Sequence, residues 1–251
     1  MPECIRGLSL QAAILSIWII KLTEPVHYRR YENILPSWND FTYVAIPSAG
    51  SGKWLQIINN SKQYCVEIKN EELVISRYRE KHCIQYDYLD IKIVGTDYGE
   101  WGGELKVVYP DSTEIVLKKC NVKSIFEYEG NLYFLEGLEH LYLNTGYLHQ
   151  LIYDDTHFSI RKCLDLKECP IAFYIFNSHL YVISSENLFC LSVENGSFRK
   201  NIIFNNFPFS AFVPNSLIVY KGNFIIGMRG GLGRIDYENI KNVQYLQLKK
   251  V

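Results

Sequence analysis

The chain has 251 residues, and its 26 Lys and Arg against 27 Asp and Glu leave a formal charge of −1. That balance excludes a surface built chiefly to grip nucleic acid or anionic lipid, which needs a dense basic field. Hydrophobic residues at 48% exclude a disordered chain, and 19 Tyr and 13 Phe beside only 2 Met favour strands over helices.

The first element is an uncharged apolar run, Gly7 to Ile20, between Arg6 and Lys21. It is short for a membrane span but suits the apolar core of an export signal, so 1–22 reads as a signal peptide or membrane anchor and 23–251 as a single domain. Glu3 offsets Arg6 and no small-x-small triplet follows Ile20, which leaves a membrane-anchored or cytoplasmic chain as the alternative to a periplasmic or exported one.

Removal of such a leader would take Cys4 with it and leave six cysteines, an even number compatible with disulfides. Cys163 and Cys169, flanking Leu-Asp-Leu-Lys-Glu, are the expected pair. The competing reading treats cysteines such as Cys65 and Cys190 as small buried hydrophobes. No CxxC spacing points to zinc or redox chemistry.

Next, Ala49-Gly50-Ser51-Gly52-Lys53 resembles a phosphate loop only superficially. Pro47 and Trp54 stand where that motif needs Gly and Ser or Thr, so the segment reads as a surface loop and no nucleotide cofactor is expected. From Trp54 onward short β runs alternate with turn residues: WLQII, QYCVEI, IKIVG, ELKVVY, EIVL and NLYFL.

Three later segments repeat one another: Glu129-Gly130-Asn131-Leu132-Tyr133, Asn177-Ser178-His179-Leu180-Tyr181 and Lys221-Gly222-Asn223-Phe224-Ile225. Each sets a polar turn before an apolar strand, and their separations match the roughly 40–50 residues of a four-stranded propeller blade. A diverged unit over Ile91 to Leu117 and another before it bring the count to about four or five blades. The fold is therefore expected to be all-β and β-propeller-like, with a β-sandwich or barrel as the alternative.

Asp97-Tyr98-Gly99-Glu100-Trp101-Gly102-Gly103-Glu104 is the most distinctive segment. Its carboxylates Asp97, Glu100 and Glu104 beside Trp101 suit partner binding, a sugar held on the indole face, or acid–base chemistry. A purely structural loop would also use these glycines. Arg229, in Gly227-Met228-Arg229-Gly230-Gly231-Leu232-Gly233, is a further contact candidate in what reads as a hairpin turn. His140 reads as structural, Asp154-Asp155-Thr156-His157 as a turn, and no catalytic triad, metal helix or nucleophile elbow is present in the sequence.

The apolar leader, Asp97 to Leu105, Asn131-Leu132-Tyr133 and Glu136-Gly137-Leu138-Glu139-His140-Leu141 together resemble uncharacterised bacterial exported propeller-like proteins, some of which are toxin-immunity proteins. That resemblance implies a non-enzymatic periplasmic binding protein that neutralises a bacterial toxin by protein–protein contact, without metal or cofactor. The alternatives are a carbohydrate-binding or glycoside-active propeller and a structural envelope propeller. The partner is thus a toxin or another envelope protein, with no nucleic acid, and membrane contact only through the amino-terminal segment.

Overall fold

The computed structural model describes residues 36–249. The expected leader therefore lies outside the described residues. Strand β1 (Phe41–Val44) is followed by helix α1 (Gly52–Ile58) and the hairpin β2 (Tyr64–Lys69) and β3 (Glu72–Arg77). Three sheets of four strands come next: β4 (Cys83–Tyr88) to β7 (Glu114–Lys119), through β5 (Ile91–Thr96) and β6 (Glu104–Val108); β8 (Val122–Tyr128) to β11 (Phe158–Asp165), through β9 (Asn131–His140) and β10 (Leu143–Tyr153); and β12 (Pro170–Phe176) to β15 (Ser197–Phe204), through β13 (His179–Ser184) and β14 (Leu188–Glu194). The last sheet runs from β16 (Ser216–Tyr220) through β17 (Asn223–Met228) and β18 (Gly231–Asp236) to β19 (Val243–Leu248), and β1 joins it beside β19. Among the described residues the fold is all-β, in five separate antiparallel sheets with no closed barrel.

Local chemistry explains the repetition. The turns Glu129-Gly130, Asn177-Ser178 and Lys221-Gly222 all join two strands through two residues, each with positive φ. That is the mirror-image turn whose twist matches paired strands, and it needs Gly, Asn or a tolerant polar residue. The three aligned segments are indeed hairpins of one kind.

Four apolar clusters bind the sheets in sequence. One lies between β4–β7 and β8–β11 and contains Ile93, Leu105 and Phe134; a second lies between β8–β11 and β12–β15 with Leu135, Leu148 and Phe189. A third joins β12–β15 to β16–β19 through Ile183, Phe209 and Phe224, and the fourth places Tyr64, Val66 and Ile75 of β2–β3 against Ile225 and Leu246. Among the described residues no cluster joins β2–β3 to β4–β7. The β4–β7 sheet accordingly alternates, with Ile84, Tyr86, Ile93 and Val107 toward β8–β11 and Gln85, Lys92 and Lys106 on its other face.

One apolar run departs from expectation. Residues 54–58 (WLQII) form α1 rather than a strand. Ser51 caps the helix by accepting from the Trp54 amide at 3.2 Å, and the helical period sends Trp54, Ile57 and Ile58 together into the third cluster. The glycine-lysine segment is therefore the start of a short helix whose first turn, Gly52 and Lys53, is exposed.

Candidate functional site

The residues around Asp97 are held by the ends of two sheets. After β5, a single 3₁₀ turn over Gly99–Trp101 is anchored from both sides. Asp97 accepts from the Gly99 amide at 3.0 Å and pairs with Lys123 at 2.5 Å, while the buried Asn121 amide donates to the Gly99 carbonyl at 2.7 Å. Gly103 cannot be replaced easily, because a Cβ there would collide with the carbonyls of Thr96 and Cys120. The turn is thus rigidly placed, yet Trp101 at its tip is 85% exposed.

Glu100 reaches across to a different sheet. Its Oε2 lies 2.8 Å from Nε2 of His140, at the end of β9. His140 is therefore a tie between the two loops, and it stands at the tip of the β9–β10 hairpin, where Leu141, Tyr142 and Leu143 are all largely exposed. Leu141 has φ of 53°, a conformation that suits Gly or Asn and is costly for a γ-branched apolar side chain. Trp101, Tyr98 and these three residues are exposed apolar side chains on two loops that the Glu100–His140 pair joins.

Beside these loops a cavity of about 1050 Å³ extends over the uncovered face of β4–β7, lined among others by Gln85, Lys92, Glu104, Lys106, Glu114 and Glu136. Its carboxylates are matched to cations. Glu104 pairs with Lys119 at 2.5 Å, Glu114 with Lys106 at 2.6 Å, and Glu136 accepts from both Lys118 and the buried His149 at 2.7 Å. The Lys119 hydrogen bond holds Glu104 below the usual carboxylate range. For Glu136 burial pushes upward, but His149 and Lys118 outweigh it and the net shift is downward. Both carboxyls therefore remain anionic near neutrality, which suits neither for the raised-pKa proton donor that glycoside cleavage requires.

The remaining contact candidate lies elsewhere. Arg229, in the β17–β18 turn, donates to the Ile58 carbonyl at 2.6 Å and so closes the carboxyl end of α1. Its backbone amide donates to the Phe212 carbonyl at 2.7 Å. Arg229 is a structural clamp, and the hairpin reading of its glycines holds.

The Cys163–Cys169 disulfide is not formed, and the six described cysteines are free thiols. Cys163 packs toward the second cluster and hydrogen-bonds the Arg161 carbonyl, whereas Cys169 is buried next to Gly137 and bonds the Pro170 carbonyl. The residues between them turn around Glu168, which is 2% exposed and takes bonds from Ser184, Asn187 and Lys200. That buried carboxylate fixes the connection between β11 and β12 without a covalent link. Among the described residues no His, Cys, Asp or Glu group has the arrangement of a metal site.

Sequence reasoning selected Asp97, Glu100, Trp101 and Glu104; the last three line the cavity, and Asp97 instead anchors the turn that carries Trp101. It missed Leu141, Tyr142 and Leu143, whose signal was an apolar pair of residues in a turn position that normally takes Asn or Gly. No helix among the described residues is long and apolar enough to cross a membrane.

No family model matches the chain, and no curated protein matches it. Among solved structures it is similar to the AfRom2 CNH domain, at 14% identity and a TM-score of 0.43, over 73% of this chain and 60% of that one. It is also similar to the N-terminal domain of Nup159, at 11% identity and a TM-score of 0.40, over 80% of this chain and 66% of that one. The chain thus spans less than two thirds of either neighbour, and both are β-propeller domains.

Proposed function

We propose that this chain is a β-propeller-like, non-enzymatic binding protein that contacts a protein partner through Trp101 and the 141–143 hairpin tip, and that the partner is a bacterial toxin which it neutralises. The propeller reading draws on four sheets in which four consecutive strands pair in chain order, the last extended by β1, plus the β2–β3 pair, packed so that β8 meets β4, β12 meets β8, and β16 meets both β12 and β2. It counts four full blades and one short one.

The observation that carries the binding reading is the Glu100–His140 tie, which links two loops from different sheets that both expose apolar side chains. Trp and Tyr anchors on a rigid support are the usual centres of binding energy, and a strained Leu141 has no use in stability alone. The matched ion pairs of the cavity favour binding over acid–base catalysis. The immunity role adds the resemblance noted in the sequence.

Affinity purification of the full chain from its native cells tests the proposal. Recovery of a toxin that the wild type retains and Trp101→Ala loses is the expected result, together with protection of cells expressing that toxin. Binding that is equal for wild type and Trp101→Ala, or a glycan ligand in place of a protein, would overturn it.

A further inference from the structure

The hairpin β2–β3 has two strands where every other sheet has at least four, so β3 has a free edge among the described residues. Its turn, Asn70-Glu71, has positive φ at both residues and pairs Lys69 with Glu72. In such a hairpin Glu72, Val74 and Ser76 bond back to β2. The N–H and C=O groups of Leu73, Ile75 and Arg77 therefore point outward from the sheet. No proline, bulge or lysine interrupts this edge, and its two charged residues, Glu72 and Arg77, stand at its ends and leave Leu73 to Ser76 between them.

Directly alongside, a cavity of about 390 Å³ has Trp38, Leu73, Tyr220 and Ile225 as its apolar lining, and its charged lining is the two cations Lys221 and Arg234 against one carboxylate, Glu72. Neither cation has a carboxylate partner among the described residues. Arg234 donates instead to Asn223 and to the Tyr43 hydroxyl, and the Lys221 ammonium lies 5.1 Å from the Tyr220 ring centre. The side chains of Leu73 and Ile75 lie on the cavity side of β3, against the fourth apolar cluster.

We infer that β3 receives an extended segment of a partner polypeptide by strand addition, with an apolar side chain seated on the Trp38–Leu73–Tyr220 floor and an acidic side chain two residues along facing Lys221 and Arg234. Main-chain bonds to Leu73, Ile75 and Arg77 supply the pairing, and the period-two alternation sends both specificity residues to the cavity side. A second copy of this chain fits less well. Two β3 strands paired about Ile75 would bring the copy's Arg77 opposite Leu73, beside two cations already unmatched. The site is separate from the Trp101 surface and does not depend on the function proposed for it.

A random 12-residue peptide library displayed on phage, selected against the full chain, tests the inference. Enrichment of apolar-x-acidic sequences is expected, with a synthesised peptide slowing hydrogen exchange at Leu73, Ile75 and Arg77. Lys221→Glu should weaken that peptide at least tenfold without unfolding the protein, because Glu129 occupies the same place in the β8–β9 turn. No enrichment, protection at other segments, indifference to Lys221→Glu, or dimerisation of the chain that protects these same amides would overturn it.

Discussion

The Glu100 carboxylate and the His140 imidazole, 2.8 Å apart, join the 3₁₀ turn after β5 to the tip of the β9–β10 hairpin. Both side chains are more than a third exposed, so the pair contributes little to global stability. Its effect is local: it ties the turn that carries Trp101 to the hairpin that carries Tyr142. Glu100→Gln should therefore leave Tm nearly unchanged and raise hydrogen exchange in 99–102 and 139–144. Equal exchange in both proteins would show that the backbone alone fixes the two loops.

Leu141 gives a second test, because its positive φ trades stability for exposed apolar surface. Leu141→Gly should stabilise the fold by about 0.5–1 kcal/mol, the strain of a non-glycine residue in this region less the extra unfolded-state entropy of glycine. Urea denaturation measures it. A loss of stability would mean that the Leu141 side chain packs usefully in the free protein.

Acid sensitivity follows from Glu136. Its pKa is lowered in the fold, so its contribution is present above the unfolded-state pKa and is lost as pH falls through the folded value. Wild-type Tm should therefore fall below about pH 4, near the ordinary carboxylate range, and Glu136→Gln should flatten that limb while lowering Tm near neutrality. An unchanged acid limb in the variant would place the sensitive carboxylate elsewhere.

Thiol reactivity separates the cysteines by burial. Desolvation raises Cys120 to about 12 and Cys169 and Cys190 to about 11, whereas Cys83 is exposed at the mouth of the large cavity. In a Cys4→Ser chain, maleimide should label Cys83 first and the three buried thiols only on unfolding. Mass spectrometry of the labelled peptides reads the order, and a Cys163–Cys169 bridge in the product would contradict the free-thiol structure.

Much of the fold was legible because its determinants are local. Glu129-Gly130, Asn177-Ser178 and Lys221-Gly222 each specify a two-residue turn, so the repeat could be read from turn chemistry alone. WLQII could not, since five apolar residues serve a strand or a helix equally, and the Ser51 cap together with the pocket for Ile57 decided it. The Asp97–Glu104 segment was visible by composition, but the meeting of Glu100 with His140 is a contact between sheets. The role of Arg229 at the end of α1 was not legible for the same reason, because the carbonyl it serves belongs to a helix far earlier in the chain.

Buried charge supplies a further case. Glu168→Ala would strand the Lys200 ammonium, which lies 4.5 Å from the Phe189 ring centre, and should cost about 3–5 kcal/mol. Glu168→Gln, which keeps most of the hydrogen bonds, should cost less. Urea midpoints of the two variants compare them, and equal losses would mean that charge pairing dominates over hydrogen bonding.

The central claim is that Trp101 and Tyr142 lie in one partner interface. A photo-crosslinking amino acid placed at 101, 142 or, as a control, the exposed Ile202 and activated in native cells tests it directly. The account predicts one common protein adduct at 101 and 142 and none at 202; no adduct at either loop, or different partners at the two, would contradict it.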